Sequence, residues 1–286
     1  MRQIVIISGK GGTGKTVLTG AFAALAENKI IVDCDVDAAD LHLLLNPTIK
    51  EKHVFKSGFT ASIDQKKCIQ CLKCIKACRF NAIDDNLSID PVSCEGCKFC
   101  YNLCPTKAIE LKENTSGEWF VSDTKFGTFV HAKLGIAEEN SGKLVSLIRK
   151  QAQQLAVKQN KDLIIIDGAP GIGCPVIACI SNVDCVVVVT EPTLSGLHDA
   201  KRVIKVAQHF NAPIKLIINK YDLNEDMTKT IMQYCDKNNI LVIGKIRFNS
   251  AIVESIINAK TIMEYSDSRL NEIKQEIKSI WQRLVT

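Results

Sequence analysis

No apolar run in this 286-residue chain approaches the roughly 18 residues that a membrane-spanning helix needs; stretches such as 163–166 and 186–189 are far shorter. The start of the chain has no cationic-then-apolar leader, which sets the expectation of a cytoplasmic protein. A disorder signature is missing too: 46% of the residues are apolar and 23% charged, enough to build a buried core over one large domain or two small ones. Nor is there a large excess of one charge. Thirty-six Lys and Arg against 31 Asp and Glu leave a net charge of +5, so nucleic-acid binding has no electrostatic support at the level of the whole chain.

Cysteine, by contrast, is plentiful. Thirteen of them in a leaderless chain with ordered C-x-x-C spacing point to metal rather than disulfides. Cys68-x-x-Cys71-x-x-Cys74-x-x-x-Cys78 recurs as Cys94-x-x-Cys97-x-x-Cys100-x-x-x-Cys104, an internal repeat of 26 residues that also carries Ala82-Ile83 into Ala108-Ile109. Structural zinc, the competing reading, needs four ligands per ion in two separated pairs and has no use for this eight-thiol pattern. The run resembles that of the bacterial two-cluster ferredoxins, in which each cluster takes three cysteines of one half and the last cysteine of the other. That resemblance implies two [4Fe–4S] clusters, one on Cys68, Cys71, Cys74 and Cys104, the other on Cys94, Cys97, Cys100 and Cys78. Arg79 stands where a proline usually follows the fourth cysteine, whereas Pro105 keeps it. Cys34, Cys174, Cys179, Cys185 and Cys235 are irregularly spaced and read as small buried hydrophobes.

The chain opens with an apolar strand-like run over 2–7, then Ser8-Gly9-Lys10-Gly11-Gly12-Thr13-Gly14-Lys15-Thr16, then an Ala-rich helical pattern over 17–27. A glycine turn between strand and helix fits the phosphate loop G-x-x-x-x-G-K-[ST]. Glycines lack Cβ atoms, so backbone N–H groups can converge on phosphate oxygens, and the helix N-terminus adds partial positive charge. Lys15 then reaches the β and γ phosphates and Thr16 offers its hydroxyl to Mg²⁺. Gly9, Lys10, Gly11, Gly12, Thr13 and Gly14 complete the expected nucleotide contacts. The second lysine, Lys10, makes the loop resemble the deviant G-K-G-G-x-G-K-[ST] of the MinD/ParA/Mrp superfamily. The resemblance implies an ATPase that forms a homodimer on ATP, with Lys10 crossing to the partner's nucleotide to neutralise charge developing on the transferred phosphoryl group.

Residues 29–32 read as a strand delivering Asp33-Cys34-Asp35-Val36-Asp37-Ala38-Ala39-Asp40, and carboxylates just past a parallel strand face the ligand crevice. By the same resemblance Asp35 orients or activates the attacking water, with Asp33 and Asp40 in support. Residues 162–166 lead into Asp167-Gly168-Ala169-Pro170-Gly171, which resembles the family's Walker B and switch II: Asp167 would hold Mg²⁺ through water and the Gly171 N–H would sense the γ-phosphate. Further strands are expected at 184–190, 214–218 and 240–246, with a helix over 194–210. The strand at 214–218 ends in Asn219-Lys220-Tyr221-Asp222. N-K-x-D is the guanine-reading motif of GTPases, with Asp222 as acceptor, yet in the resembling group the asparagine contacts adenine; the two-lysine loop favours ATP. Arg247-Phe248-Asn249 is expected to border the base.

Residues 41–64 are poorly patterned and read as a connection, and 118–134 as strands punctuated by Gly117 and Gly127. His131 and Glu138-Glu139-Asn140-Ser141-Gly142-Lys143 are expected either near the nucleotide or at an inter-domain contact, or else as a surface histidine and a capping turn before a helix over 144–159. From Arg269 the chain closes with an amphipathic helix whose apolar face carries Leu270, Ile273, Ile277, Ile280, Trp281 and Leu284. Packing on the domain is the expectation; a membrane anchor like that of MinD is the alternative.

Strands alternate with helices outside 58–112. The fold class expected is therefore a doubly wound parallel α/β sheet, a MinD-like P-loop NTPase over 1–57 and 113–286, interrupted by a bacterial-ferredoxin-like α+β domain at 58–112. The function expected is ATP hydrolysis in which nucleotide state and dimerisation control electron transfer or docking on a redox or metallocluster partner, with ATP, Mg²⁺ and two [4Fe–4S] clusters as cofactors. An Mrp-like cluster carrier is one alternative, weakened by the lack of a C-terminal C-x-x-C; a MinD-like positioning switch with redox-sensing clusters is the other.

Overall fold

Runs of Val, Ile and Leu with no polar alternation can be buried only if helices cover both faces of the sheet they form. The computed structural model describes residues 1–135 and 141–286. In chain order they build β1 (Arg2–Ser8), α1 (Lys15–Leu25), β2 (Lys29–Asp33), α2 (Leu41–Leu45), β3 (Thr48–Ile63), α3 (Lys73–Ala77), α4 (Phe99–Leu103), β4 (Ile109–Thr124) and β5 (Gly127–Leu134). Then follow α5 (Ser141–Lys158), β6 (Leu163–Pro170), α6 (Cys174–Ile180), β7 (Cys185–Thr190), α7 (Leu194–His209), β8 (Ile214–Asn219), α8 (Glu225–Lys237), β9 (Leu241–Ile246), α9 (Ser250–Ile257) and α10 (Asn271–Val285). Two units separate: the first holds Met1–His53, Trp119–Leu134 and Ser141–Thr286, the second Val54–Glu118 with Gly135.

The strand order is β3-β4-β5-β2-β6-β1-β7-β8-β9. From β5 to β9 every neighbouring pair is parallel. The β4–β5 connection is only Lys125-Phe126, too short for the crossover that a parallel pair requires, so β4 joins antiparallel. Side-chain pairs Lys50–Asp123 and His53–Trp119 give β3 and β4 the antiparallel sense as well. The sheet is therefore mixed: a doubly wound parallel body with an antiparallel margin. Residues 41–64, expected to be a connection, instead form α2 and the 16-residue β3. The first half of β3 is exposed and charged, so it lacks the buried face whose alternation would have announced a strand. Gly117 does not interrupt β4 either.

Every residue of β1 after Arg2 is buried, so both of its faces are covered. Ile4 and Ile6 share one core with Leu18 and Phe22 of α1 and with Ile273, Ile277, Ile280 and Leu284 of α10. The C-terminal helix thus packs on the domain: Trp281 lies 5.4 Å from the Phe22 ring, and a Cβ on Gly244 would stand 2.2 Å from Ile280. Its last carbonyls accept from the Arg2 guanidinium (Leu284 O at 2.8 Å, Val285 O at 2.6 Å) and from the Lys215 ammonium, cations where the helix dipole favours them. Among the described residues no helix is long and apolar enough to cross a membrane.

In the second unit the sequence repeat is also a backbone repeat. Left-handed φ angles recur at the 26-residue offset, Gln70 with Gly96, Leu72 with Lys98 and Asn81 with Lys107. Leu72 and Lys98 each precede a five-residue helix, α3 and α4. Ala82, Ile83, Ala108 and Ile109, the repeated apolar pairs, are buried with Leu87 and Ala61 as its core. Gly96 admits no other residue, since a Cβ would fall 2.0 Å from the Phe59 carbonyl oxygen.

Candidate functional site

The register of the parallel strands assembles the first site. Asp33 ends β2 directly opposite Asp167 on β6, and Ser8 ends β1 opposite Pro170, so two carboxylates and the glycine loop meet at the carboxyl ends of three adjacent strands. Gly12 and Gly14 hold φ values of 77° and 92°. Open space lies where Cβ atoms on Gly11 and Gly12 would point, whereas Gly9 rests on the Asp199 backbone of α7 and a Cβ there would be 2.4 Å from its carbonyl carbon. The loop is thus pinned from behind and empty in front. Thr13 Oγ1 is buried there with no hydrogen-bond partner among the described residues.

Lys15 is buried and donates to Asp35 Oδ2 at 3.3 Å and to Asp167 Oδ1 at 3.2 Å. Thr16 Oγ1 donates to Asp167 Oδ2 at 2.7 Å and Thr19 Oγ1 to Asp167 Oδ1 at 2.9 Å. Asp33 is fully buried and accepts the Asp35 N–H at 3.0 Å and the Leu41 N–H at 3.3 Å, which fixes the turn that presents Asp35. Asp40 is exposed at the start of α2. Burial alone would push the Lys15 ammonium down, but Asp167 and Asp35 outweigh it and hold the proton more tightly. Burial pushes Asp35 up, with Lys15 pulling the other way, and pushes Asp33 well up, helped by Asp167. Three carboxylates share one ammonium in a buried space. The residue types a magnesium–triphosphate needs are present in Thr16, Asp167, Lys15 and the open glycine cradle.

Lys10 turns inward. Its ammonium lies 2.7 Å from Glu191 Oε1 and donates to Ser195 Oγ at 3.1 Å. Glu191 Oε2 lies 3.3 Å from the Lys220 ammonium, which also donates to Gly12 O at 3.3 Å. Although burial pushes the Glu191 carboxyl up, these two ammonium groups hold it below the usual range. Sequence reasoning missed Glu191; its place directly after the end of β7, a strand whose carboxyl end adjoins that of β1, was the available signal. The Gly171 N–H, expected to face a γ-phosphate, donates instead to Ser8 O at 2.9 Å, where the β1–β6 register shifts.

Beside the loop lies a cleft lined by Gly12, Gly14, Asn219, Lys220, Arg247, Phe248, Asn249 and apolar side chains of α1 and α9. Asn219 Nδ2 donates to Thr13 O at 2.8 Å and fills the space beside Gly14. Asp222 is not in this lining: its Oδ1 accepts the Phe248 N–H at 2.7 Å, so the acceptor that a guanine reader needs is engaged with backbone. His131 is set in β5, stacked on Phe120 and Phe129 with ring centroids at 5.0 and 4.5 Å, its Nε2 2.9 Å from Ser122 Oγ. It is a half-buried residue packed within the sheet. Glu138, Glu139 and Asn140 lie outside the described residues, while Ser141, Gly142 and Lys143 open α5.

In the second unit the cysteines gather into two sets of four. Cys68, Cys71, Cys74 and Cys104 line one cavity with Ile69, Leu72 and Lys73; Cys78, Cys94, Cys97 and Cys100 line another with Phe80, Glu95 and Lys98. All eight are free thiols. Backbone N–H groups already point at sulfur, Gln70 to Cys68 at 3.4 Å and Ala108 to Cys104 at 3.3 Å. Among the described residues no three His, Cys, Asp or Glu side chains converge tightly enough for a single ion. One zinc would draw four sulfurs to about 3.8 Å of one another, given Zn–S bonds near 2.3 Å. Each cavity takes three cysteines from one half of the repeat and one from the other, the donor count and partition that a four-iron cluster needs. Of the remaining cysteines, Cys34, Cys179, Cys185 and Cys235 are buried as expected, but Cys174 is exposed, because it opens α6 at the surface end of the Asp167–Gly171 segment.

A family model described as the CobQ/CobB/MinD/ParA nucleotide-binding domain matches residues 4–262. An uncharacterized protein of Methanocaldococcus jannaschii is 32% identical over 286 residues, 99% of this chain and 96% of its own length. Pyruvate synthase subunit PorD of Methanothermobacter marburgensis is 36% identical over 75 residues, 24% of this chain and 93% of PorD. The septum site-determining protein MinD of Pyrococcus horikoshii, solved with Mg-ADP, shares the fold with a TM-score of 0.59 over 99% of this chain and 95% of that one, at 17% identity.

Proposed function

The chain belongs to the CobQ/CobB/MinD/ParA nucleotide-binding family, and on that premise we propose that it hydrolyses ATP as a homodimer. We further propose that it couples nucleotide state to two [4Fe–4S] clusters held by an inserted module at residues 58–112. What carries this reading is the pairing of two donor sets on one chain: a buried lysine among three carboxylates under an open glycine loop, and two cavities each lined by four free cysteines. The PorD-like stretch and the Mg-ADP carried by the MinD neighbour support it from outside the molecule.

An arriving triphosphate offers the Lys15 ammonium a stronger set of oxygens than Asp35 and Asp167. Asp35, so released, orients the attacking water and accepts its proton, a role that its raised proton affinity suits. Thr16 and Asp167 would hold Mg²⁺, which when bound neutralises charge on the β and γ phosphates. Lys10 leaves Glu191 and reaches the second subunit's nucleotide, and the Gly171 N–H leaves Ser8 O to meet the terminal phosphate. The Phe248 side of the cleft takes adenine, with Asn219 at its edge. Burial of the apolar face of α10 in the core favours this reading over a membrane-anchored positioning switch.

Anaerobically purified protein should contain close to eight irons, from two four-iron clusters, and its reduction potential or rate of cluster oxidation should differ between ADP and a non-hydrolysable ATP analogue. Zinc in place of iron would remove the cluster assignment. Identical cluster behaviour in both nucleotides would leave two uncoupled modules.

A further inference from the structure

The second unit carries its charge in two blocks. From Gln65 to Ile83 the sequence has five cations, Lys66, Lys67, Lys73, Lys76 and Arg79, and no carboxylate; from Asp84 to Cys97 it has four carboxylates, Asp84, Asp85, Asp90 and Glu95, and no cation. The cavities differ less completely: Lys73 is the one charged residue of the first lining, and the second holds one of each sign, Glu95 and Lys98. Lys73 lines the Cys68–Cys71–Cys74–Cys104 cavity, Lys66 stands two residues before Cys68, and Lys107 follows Thr106 of that lining. Glu95 lines the other cavity, and the ammonium of Lys98 there is taken up 3.8 Å from the centroid of the Phe59 ring. Arg79 belongs beside Cys78 of that second set.

Lys66, Lys73, Lys76 and Lys107 are exposed, and none has an anionic partner among the described residues; Lys67 alone is engaged, with Asp64 at 3.1 Å and Glu110 at 3.2 Å. Lys73 and Lys76 stand three apart on α3, neighbours of like charge on one helix face, and Lys73 sits at the helix start where a cation is disfavoured. Among the described side chains nothing offsets this arrangement; a four-iron cluster with its four thiolates, about −2 when oxidised, would offset part of it and leave an excess of cations. In sequence Ile69, 64% exposed, and Leu72, 43% exposed, stand between Lys66 and Lys73, and both are in the cavity lining with Lys73. Exposed apolar side chains with cations nearby in the chain that have no anionic partner among the described residues have the make-up of a protein interface awaiting an acidic partner.

We propose that the face around Cys68, Cys71, Cys74 and Cys104 docks a small acidic redox protein, seated on Ile69 and Leu72 and steered by Lys66, Lys73, Lys76 and Lys107. This rests on the reading that those cysteines hold a cluster. A long polyanion or an anionic bilayer fits less well: the cationic block is bounded by Asp64 and by the Asp84–Glu95 carboxylates, which a compact partner avoids and an extended surface meets.

The test uses the full chain, purified anaerobically and first analysed for iron, with flavodoxin as the acidic probe. Association is followed by interferometry between low and moderate salt. Wild-type protein should bind, more slowly as salt rises, and the reversal K66E/K73E/K76E should slow association roughly ten- to a thousandfold. The K66E/K76E pair, which spares the cavity-lining Lys73, should move the same way with iron content unchanged, and D84N/D85N should bind no more slowly than wild type. A loaded protein that ignores flavodoxin, or binds it equally well after reversal, overturns the docking surface. So does a preference of the same lysines for a DNA oligonucleotide or phosphatidylserine vesicles. Absence of iron before flavodoxin is added would instead strike the parent reading.

Discussion

Glu191 holds two ammonium groups at once, and one of them, Lys10, is needed elsewhere if it is to act on a second subunit. Glu191→Gln keeps the shape and removes the charge, so it should loosen Lys10 and let ATP-dependent dimers form at about two- to fivefold lower ATP, the range expected for a partly exposed ion pair. Sedimentation against ATP concentration reads this; an unchanged midpoint would show that the pair does not restrain Lys10. Asp35→Ala should bind ATP yet hydrolyse it about a hundredfold more slowly, whereas Lys15→Ala should lose binding, and single-turnover assays beside nucleotide-binding measurements separate the two. Normal turnover in the Asp35 variant would remove that residue from the chemistry. His131 tests packing rather than catalysis. Burial, with a smaller push from His42, lowers its pKa from 6.5 to about 4. The folded state therefore keeps the ring neutral while the unfolded chain takes up a proton, and stability present above pH 6.5 is lost as pH falls toward 4. By pH 5 this should cost about 2 kcal/mol in urea titrations, and His131→Phe should lack that acid loss.

At the scale of elements, close approaches impose residues that periodicity alone does not explain. Gly244 lets α10 lie against β9, so Gly244→Val should overpack that contact and destabilise the first unit by about 1–3 kcal/mol in denaturant melts. Gly96 carries a left-handed φ and touches the Phe59 carbonyl oxygen, within the turn that presents Cys94 and Cys97. Gly96→Ala should empty one of two cysteine sets and lower bound iron by about half. The same variant retaining full iron would show that the turn yields more easily than its geometry suggests. β3 shows where element reading from sequence stops. Its partner β4 begins far along the chain, and pairing across such a separation leaves no local signal beyond side-chain alternation, which an exposed charged strand does not display.

For the whole molecule, chain order alone located the glycine loop and the cysteine repeat. The glycine loop and the cysteine repeat are local, since a phosphate cradle and a thiolate cluster each require fixed residue types at fixed short spacing, and chain order suffices to state them. The parallel body of the sheet was likewise legible in runs such as 163–166 and 186–189, because strands buried on both faces must be apolar throughout. Only the folded chain could decide what stands beside what. The register of β2 against β6 sets Asp33 next to Asp167 and leaves three carboxylates around Lys15; the carboxyl end of β7 brings Glu191 to Lys10 and Lys220; the backbone of Phe248 occupies Asp222. These contacts join residues distant in sequence, and their energies depend on burial and distance, quantities that a chain acquires only when it folds.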